Sequence, residues 1–300
     1  MPFQPAHDGL HAEIHAITAT EASARCFLMT RAILKPSMIC SCATPMDMVT
    51  CSSSKSADLF IWKCPSCKKY KTIRTDSVLA GTKLSFQQFS SVIFYFSVRS
   101  LTNVEVAALT GISDKAVGDW RCILSNAVAN WFLNNSTPLG GPGKIVEVDE
   151  AKFGKRKYNK GAYREGMWVL GGVDRETGNC FLVPCPGNRR TAAVLIPVIE
   201  RWILPGSIVY TDEWASYGGL TARGYTHDWV NHSIQFVDPV TGVHTNTQEG
   251  LWHHVKRRMS GSKDLESVLL DFMFRRKFNA SAGVNQITNA FNGYLHVLKC

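Results

Sequence analysis

The hydrophobic pattern of this chain differs on the two sides of residues 135–143 (NSTPLGGPG). Before this segment, apolar residues recur at helical spacing, as in residues 86–100 and 103–133. After it, short β-type runs alternate with an amphipathic helix, which is typical of a mixed α/β layer fold. Because Pro and Gly interrupt both helices and strands, residues 135–143 are predicted to separate two domains.

The part of the chain after this boundary is predicted to combine a β-hairpin, a crossover helix and further strands. The hairpin is indicated by a turn, DRETGN, between two apolar runs. An amphipathic helix follows Thr191 and ends before Pro205. The predicted strands are residues 145–149, 167–173, 180–185, 208–210 and 225–230, and a late helix is predicted at residues 247–259.

Three acidic residues stand where an α/β fold would build a ligand site. Asp149 ends the first predicted strand, Asp212 follows the strand after the crossover helix, and Glu249 opens the late helix. Ligands bind beyond the carboxyl ends of the strands in open α/β sheets. Carboxylate oxygens suit Mg²⁺ or Mn²⁺, and a pair of such ions about 3.5–4 Å apart catalyses phosphoryl displacement.

Spacing alone leaves other interpretations of these acids open. Acidic residues at strand ends commonly cap turns, and Asn246 followed by Glu249 fits a capping box. Three neighbouring acids compete for the same role on spacing: Glu147, Glu150 and Glu213.

Five of the ten cysteines lie within residues 40–67. Cys64 and Cys67 are predicted to form one half of a zinc site, because a CxxC turn directs two thiolates at one ion. The other half is less regular: Cys40 and Cys42 supply it, and Cys51 is an alternative to either. A structural Zn²⁺ site in a zinc-ribbon-like module is predicted, and free buried cysteines are the alternative.

Residues 102–133 fit a helix-turn-helix, with a first helix at Asn103–Thr110, a turn at residues 111–113 and a second helix from Asp114. On the second helix, Lys115 and Arg121 are predicted to contact DNA. Asp114 and Asp119 balance their charge, so an ordinary helical hairpin is the alternative. The predicted core of the motif consists of Ala107, Leu109, Ile112, Val117 and Trp120.

The chain carries 33 basic and 24 acidic residues, a net charge of +9. This excess suits a polyanionic partner, although such a charge also serves solubility. Lys256, Arg257 and Arg258 form a basic turn on the late helix that either binds a phosphate backbone or is a solvated face. Apolar runs long enough for a membrane span are lacking, and residues 1–20, which show no clear period, are expected to be loosely structured.

Three stretches of this sequence resemble the Merlin superfamily of DDE transposases and its bacterial insertion-sequence relatives. They are VEVDE at 146–150, VYTDEWASYGGL at 209–220 and VNHSIQFVDPVTGVHTNTQEGLWHHVKRR at 230–258. The resemblance extends over about residues 20–295. One departure is Cys40-Ser-Cys42, since the family usually shows a second CxxC there.

The resemblance implies a ribonuclease-H-like catalytic domain with Asp149, Asp212 and Glu249 at the family's DDE positions. Glu147, Glu150 and Glu213 then fall outside the triad. The implied activity is cutting of transposon ends and joining of the freed 3′-hydroxyl to target DNA by two-metal phosphoryl transfer. The alternatives are a domesticated, non-catalytic DNA-binding protein and a metal-dependent nuclease without strand transfer.

The fold expected overall is an α/β, ribonuclease-H-like catalytic domain preceded by a small zinc-ribbon-like module and a helix-turn-helix. The partners implied are double-stranded DNA, as transposon ends and target, and further copies of the chain. The location implied is the nucleus in a eukaryotic host and otherwise the cytoplasm. The predicted regions are an N-terminal helical segment (1–38), the zinc-ribbon-like module (39–76), the helix-turn-helix region (77–135) and the catalytic domain (144–300).

Overall fold

The computed structural model describes residues 8–54, 56–98, 101–154, 165–212, 215–230, 242–259, 264–279 and 286–299. The chain forms two compact units, one of Met1–Ala127 with Gly283–Cys300 and the other of Val128–Ala282. Among the described helices, none combines the length and the apolar character that crossing a membrane requires. The four sequence regions predicted above stay predictions.

The first unit combines helices with a small antiparallel sheet. Residues 1–20 were expected to be loosely structured, but a helix occupies residues 8–18. The elements up to the unit boundary are α1 (Asp8–Thr18), α2 (Glu21–Thr30), β1 (Met38–Ile39), β2 (Pro45–Thr50), β3 (Phe60–Lys63), β4 (Tyr70–Thr72), α3 (Phe86–Ser97), α4 (Asn103–Thr110) and α5 (Asp114–Asn135), the last of which continues into the second unit.

Helix α3 is the core helix of the first unit. Its N-terminus is fixed by a capping box, in which the Ser85 hydroxyl accepts from the backbone N–H of Gln88 and the Gln88 side chain accepts from the N–H of Ser85. A helix that is apolar on most faces must be buried, and Phe89, Ile93 and Phe94 are each at most 1% exposed. Helices α1, α2 and α4 pack around it.

The sheet of the first unit has the order β1-β2-β3-β4 with antiparallel neighbours throughout. The hairpin turns between β1 and β2 and between β3 and β4 lie at the same end of this sheet, because Ile39 pairs with Pro45 and Lys63 with Tyr70. Each of these two turns carries a pair of the predicted zinc-binding cysteines.

Helices α4 and α5 have the predicted start and turn, and Gly111 ends α4 in the left-handed conformation at φ 68°. Val117 and Trp120 are buried as predicted. The prediction for Leu109 was wrong, since this side chain is 54% exposed. The inner face of α4 instead contains Asn103, Val106, Ala107 and Thr110, which are buried or half-buried, and Leu109 lies beside that face.

The second unit is a five-stranded mixed sheet with helices. Strands β6, β7 and β8 form an antiparallel meander, while β10 and β11 extend the sheet in parallel on the side of β6. The predicted mixed α/β fold is therefore confirmed. The elements are β5 (Leu139–Gly140), β6 (Ile145–Phe153), β7 (Met167–Asp174), β8 (Cys180–Pro184), α6 (Ala192–Trp202), β9 (Ile203–Leu204), β10 (Ile208–Asp212), β11 (Thr226–Val230), α7 (Asn246–Met259) and α8 (Leu265–Asn279), after which α9 (Gln286–Val297) belongs to the first unit.

Strand β6 is longer than predicted, and Asp149 lies inside it rather than at its end. Pairing with β7 continues through Phe153, which faces Met167. Pairing with β10 covers Ile208–Tyr210, and its last pair joins Tyr210 to Glu147. Asp149 therefore stands just beyond the paired part of the two parallel strands.

Helix α7 packs against β6 and β7. Gly171 on β7 permits this close approach, because a Cβ atom there would lie 2.4 Å from Gln248 Nε2 and 2.5 Å from the Trp252 ring. A side chain at residue 171 would hold the helix away from the sheet. The position of α7, and of the acid in its first turn, is therefore set by contact with the central strands.

Candidate active site and cysteine cluster

The carboxylates of Asp149, Glu150 and Asp212 form a compact group in the second unit. One oxygen of each lies within 4.8 Å of the other two. The parallel pairing of β6 with β10 explains the meeting of the two aspartates. Since Glu147 pairs with Tyr210, residues two positions further along each strand, Asp149 and Asp212, are brought side by side.

Burial and crowding change the acidity of this group. Burial raises the pKa of Asp149 to about 6, and the negative charges of Asp212 and Glu249 act in the same direction. Burial likewise raises the pKa of Glu150 to about 7, with a further contribution from Asp212. Neighbouring carboxylates hinder one another's ionisation, and a bound cation would reduce the repulsion between them.

Glu249 lies in the first turn of α7 and is exposed. It is not one of the group of three, but its charge contributes to the raised pKa of Asp149. Asn246, the cap residue of the alternative capping box, is the first residue of α7, and the backbone N–H of Gln248 donates to Glu147 Oε2 at 2.9 Å.

Trp252 contacts the predicted site directly, a role that the sequence did not reveal. Its indole Nε1 donates to Asp149 Oδ2 at 2.9 Å, and its side chain is only 4% exposed. Its position three residues after Glu249 on one helix face was the only signal in the sequence. That spacing fits a core residue equally well.

The three competing acids have different placements. Glu147 is fully buried and forms an ion pair with Arg175, at 2.5 Å between Oε1 and Nε. Glu150 lies as close to the two aspartates as they lie to each other, within 4.8 Å. Distance alone therefore does not exclude Glu150 from the metal-binding group. Glu213 lies outside the described residues.

The four predicted zinc-binding cysteines meet at one end of the small sheet. Their sulfur atoms all lie within 4.8 Å of one another, at 3.4 Å for Cys40–Cys67 and 3.6 Å for both Cys42–Cys64 and Cys42–Cys67. A disulfide would require about 2.05 Å. Four thiolates about 2.3 Å from a tetrahedral Zn²⁺ would lie about 3.8 Å apart, so the cluster fits a zinc ion.

Cys42 has the thiolate character that a metal ligand needs. Hydrogen bonds with Thr44 lower the pKa of Cys42 to about 6, and the thiolate rather than the thiol binds metal. Cys51, the alternative ligand, is not a member of the group.

The predicted DNA-binding residues fall into two classes. Lys115, Lys256 and Arg257 are exposed. Arg121 donates from Nε to Asn103 Oδ1 at 2.8 Å, which ties α5 to α4. Arg258 pairs with Asp271 at 3.3 Å.

Comparison with known proteins gives two sequence matches. Residues 138–263 match the family model of the ISXO2-like transposase domain. An uncharacterized transposase-like protein of Haemophilus influenzae is 35% identical over 68 residues, which are 23% of this chain and 54% of that protein. The chain thus matches about half the length of this relative.

Solved structures are matched only distantly. The catalytic core domain of HTLV-2 integrase in complex with magnesium gives a TM-score of 0.32 at 14% identity in its dimeric form, covering 50% of this chain and 92% of that one. Its trimeric form gives a TM-score of 0.30 at 13% identity, covering 50% and 93%. Both sequence matches are with transposase sequences, and neither places the chain in the Merlin superfamily.

Proposed function

We propose that this chain is a DNA transposase that cuts transposon ends and joins the freed 3′-hydroxyl to target DNA. The observation that carries the proposal is the meeting of Asp149 and Asp212 at the junction of β6 and β10, inside the segment that matches a transposase domain. The mixed sheet, with a helical crossover between its antiparallel and parallel parts, supports a ribonuclease-H-like catalytic domain.

The acidic residues fit divalent metal ions. Their donors are hard carboxylate oxygens, which suit Mg²⁺ or Mn²⁺ rather than zinc. Burial first, and then the charges of the neighbouring carboxylates, raise the pKa values of Asp149 and Glu150. Asp149, Asp212 and Glu249 would hold the ions, with Glu150 beside them. Two bound ions would supply activation of the attacking oxygen and stabilisation of the leaving oxygen.

The chain's own residues orient this site. Trp252 orients the Asp149 carboxylate by donating its indole N–H to Oδ2. Lys256 and Arg257, exposed on the same helix, would contact the phosphate backbone of the substrate DNA.

The first unit would recognise DNA and hold its own fold with zinc. Helices α4 and α5 would act as a helix-turn-helix, with Lys115 on the exposed side of the second helix and Arg121 joining the two helices. Cys40, Cys42, Cys64 and Cys67 would bind structural Zn²⁺. The transposase would act as a homo-oligomer on double-stranded DNA, in the nucleus of a eukaryotic host or otherwise in the cytoplasm.

The test is metal-dependent cutting and joining of DNA that carries the gene's own flanking repeats. Asp149→Asn, Asp212→Asn and Glu249→Gln are each expected to abolish both steps, because each removes a charged metal ligand. Glu150→Gln, tested in the same series, shows whether the fourth acid takes part. Glu176→Gln is the matched control, since Glu176 is exposed and pairs with Lys144.

The outcome distinguishes the proposed transposase from its alternatives. Cutting and joining that need all three acids would support it. Cutting without joining would indicate a metal-dependent nuclease. Binding of the repeats without cutting, in either Mg²⁺ or Mn²⁺, would indicate a DNA-binding protein that lacks catalysis.

A further inference from the structure

Glu147 is a fully buried carboxylate on β6, two residues before Asp149, and three chain segments meet at it. Arg175 Nε donates to its Oε1 at 2.5 Å, and the Thr247 hydroxyl donates to the same oxygen at 2.8 Å. The backbone N–H of Gln248 donates to Oε2 at 2.9 Å. Glu147 thus binds both the turn after β7 and the first turn of α7.

Arg175 completes this connection. Its own backbone N–H donates to the carbonyl of Ile145 on β6 at 3.1 Å. Its guanidinium donates to the carbonyl of His244 at 2.8 Å, and the same nitrogen lies 2.8 Å from His244 Nδ1. The guanidinium also lies 4.8 Å from the centre of the Tyr210 ring on β10. Arg175 therefore connects His244, just before α7, to Ile145 and Glu147 on strand β6.

A helix usually satisfies its first N–H groups with water or with the side chain of its own cap residue. In α7 the acceptor is a carboxylate from a strand of the sheet, and negative charge is favourable at a helix N-terminus. Charge-assisted hydrogen bonds of this kind are short and directional. They fix the first turn of α7 relative to β6.

Glu249 stands between two attachment points of α7. Gln248, the preceding residue, is bound to Glu147, and Trp252, three residues later, is bound to Asp149. Both attachments end on the same strand, two residues apart. The distance of the Glu249 backbone from Asp149 is therefore set from both sides.

We propose that Glu147 is a positioning residue, which together with Arg175 sets where Glu249 stands relative to Asp149 and Asp212. The inference rests on the proposed function, since it assumes that these three acids share a metal site. Buried ion pairs add little stability compared with an apolar pair of the same size. The role proposed for the Glu147–Arg175 pair is therefore to place α7 and not to stabilise the fold.

The test measures equilibrium binding of Mn²⁺ to the full chain by electron paramagnetic resonance of the free ion. Glu147→Gln keeps the size of the side chain and removes its charge. It is expected to weaken Mn²⁺ binding about 10- to 100-fold, as loss of a residue that orients a ligand does. Glu249→Gln gives the reference loss, and the double variant should bind no more weakly than Glu249→Gln alone, because both changes act through one ligand.

Two further variants separate positioning from stability. Asp58→Asn breaks a matched ion pair in the first unit, where Asp58 and Arg74 are 8% and 11% exposed and 2.5 Å apart. It should lower the melting temperature and leave Mn²⁺ affinity unchanged. Thr247→Val removes one hydrogen bond to Glu147 from an exposed position, so it should fold even if Glu147→Gln does not, and weaken Mn²⁺ binding several-fold.

The possible failures are distinct. If Glu249→Gln weakens Mn²⁺ binding while Glu147→Gln and Thr247→Val bind like wild type, Glu147 does not position Glu249 and the metal site stands. If the double variant binds much more weakly than either single variant, the two residues act independently and the inference also fails. If Glu249→Gln binds like wild type, Glu249 is not a ligand and the proposed triad fails first.

Discussion

The pKa of the Asp149 carboxyl group is set by causes that act in opposite directions. Burial and the charges of Asp212 and Glu249 raise its pKa, while hydrogen bonds with the backbone of Glu150 and with the Trp252 indole lower it. The net result is a pKa of about 6, close to that of about 7 for Glu150. Both acids therefore titrate near neutral pH. Binding of a cation there would displace the protons that the two carboxyl groups still carry.

The raised pKa values predict a pH dependence of stability in the metal-free protein. A group whose folded-state pKa exceeds its unfolded value of about 4 holds a proton in the folded state that the unfolded chain has released. Stability must then fall as pH rises from about 4 to about 7. We expect the free energy of unfolding of wild type to fall by about 2 kcal/mol more than that of Asp149→Asn over this range.

The measurement is urea unfolding of both proteins at several pH values with a chelator present. The change in the difference between the two curves reports the titration of Asp149 together with the part of the Glu150 shift that the Asp149 charge causes. Addition of Mg²⁺ at pH 7 should stabilise wild type and not the variant. Parallel curves for the two proteins between pH 4 and 7 would contradict the assigned pKa shift.

The sequence predicted part of this site. Asp149 and Asp212 were predicted from the rule that ligands bind beyond strand ends. In the structure they meet just beyond the parallel pairing of β6 with β10, although β6 itself continues. Glu150 could not be chosen in this way, because adjacent residues of a strand point to opposite faces. The bond of Trp252 to Asp149 spans 103 positions of the chain. No local pattern carries such a contact.

At the element scale, the site depends on how closely α7 approaches β7. Gly171→Ala would place a Cβ atom 2.4 Å from Gln248 Nε2 and 2.5 Å from the Trp252 ring. Because packed side chains of a helix cannot yield that far, we expect a loss of about 1–3 kcal/mol in the free energy of unfolding. DNA cutting should fall as well, since Glu249 moves with the helix.

Gly250→Ala is the matched control for this substitution. Gly250 lies on α7 itself, and a Cβ atom there would meet nothing within 4 Å. Alanine favours a helix over glycine by about 1 kcal/mol, so this variant should be equally or more stable than wild type and should keep its activity. Equal unfolding curves for Gly171→Ala and wild type would show that α7 does not lie as close to β7 as described.

The elements themselves were largely predictable, and their ends were less so. The hairpin of β7 and β8, the crossover helix α6 and the start of α4 follow from apolar spacing and turn residues. Strand β6 was predicted to end at Asp149 because the apolar run stops there, but pairing with β7 carries it to Phe153. Tertiary pairing extends a strand beyond its own pattern.

At the scale of the whole molecule, a chain of net charge +9 holds a crowded acidic site in one of its two units. The excess of basic residues must offset that local negative charge if the site is to meet a polyanion such as DNA. The sequence indicated this excess, but it did not distinguish basic residues used inside the fold from those left for a partner. Arg121 and Arg258 bond within their own units, and Lys256 and Arg257 are exposed.

The salt dependence of DNA binding distinguishes a phosphate-binding turn on α7 from a solvated face. Each phosphate contact contributes about −0.9 to the slope of log K against log salt concentration. The double variant Lys256→Ala, Arg257→Ala should therefore bind duplex DNA more weakly and with a slope reduced in magnitude by about 2. Lys144→Ala is the control, because Lys144 pairs with Glu176 at 3.1 Å, and its slope should equal that of wild type. An unchanged slope in the double variant would assign these two residues to a solvated face, and the DNA contacts of the second unit would have to lie elsewhere.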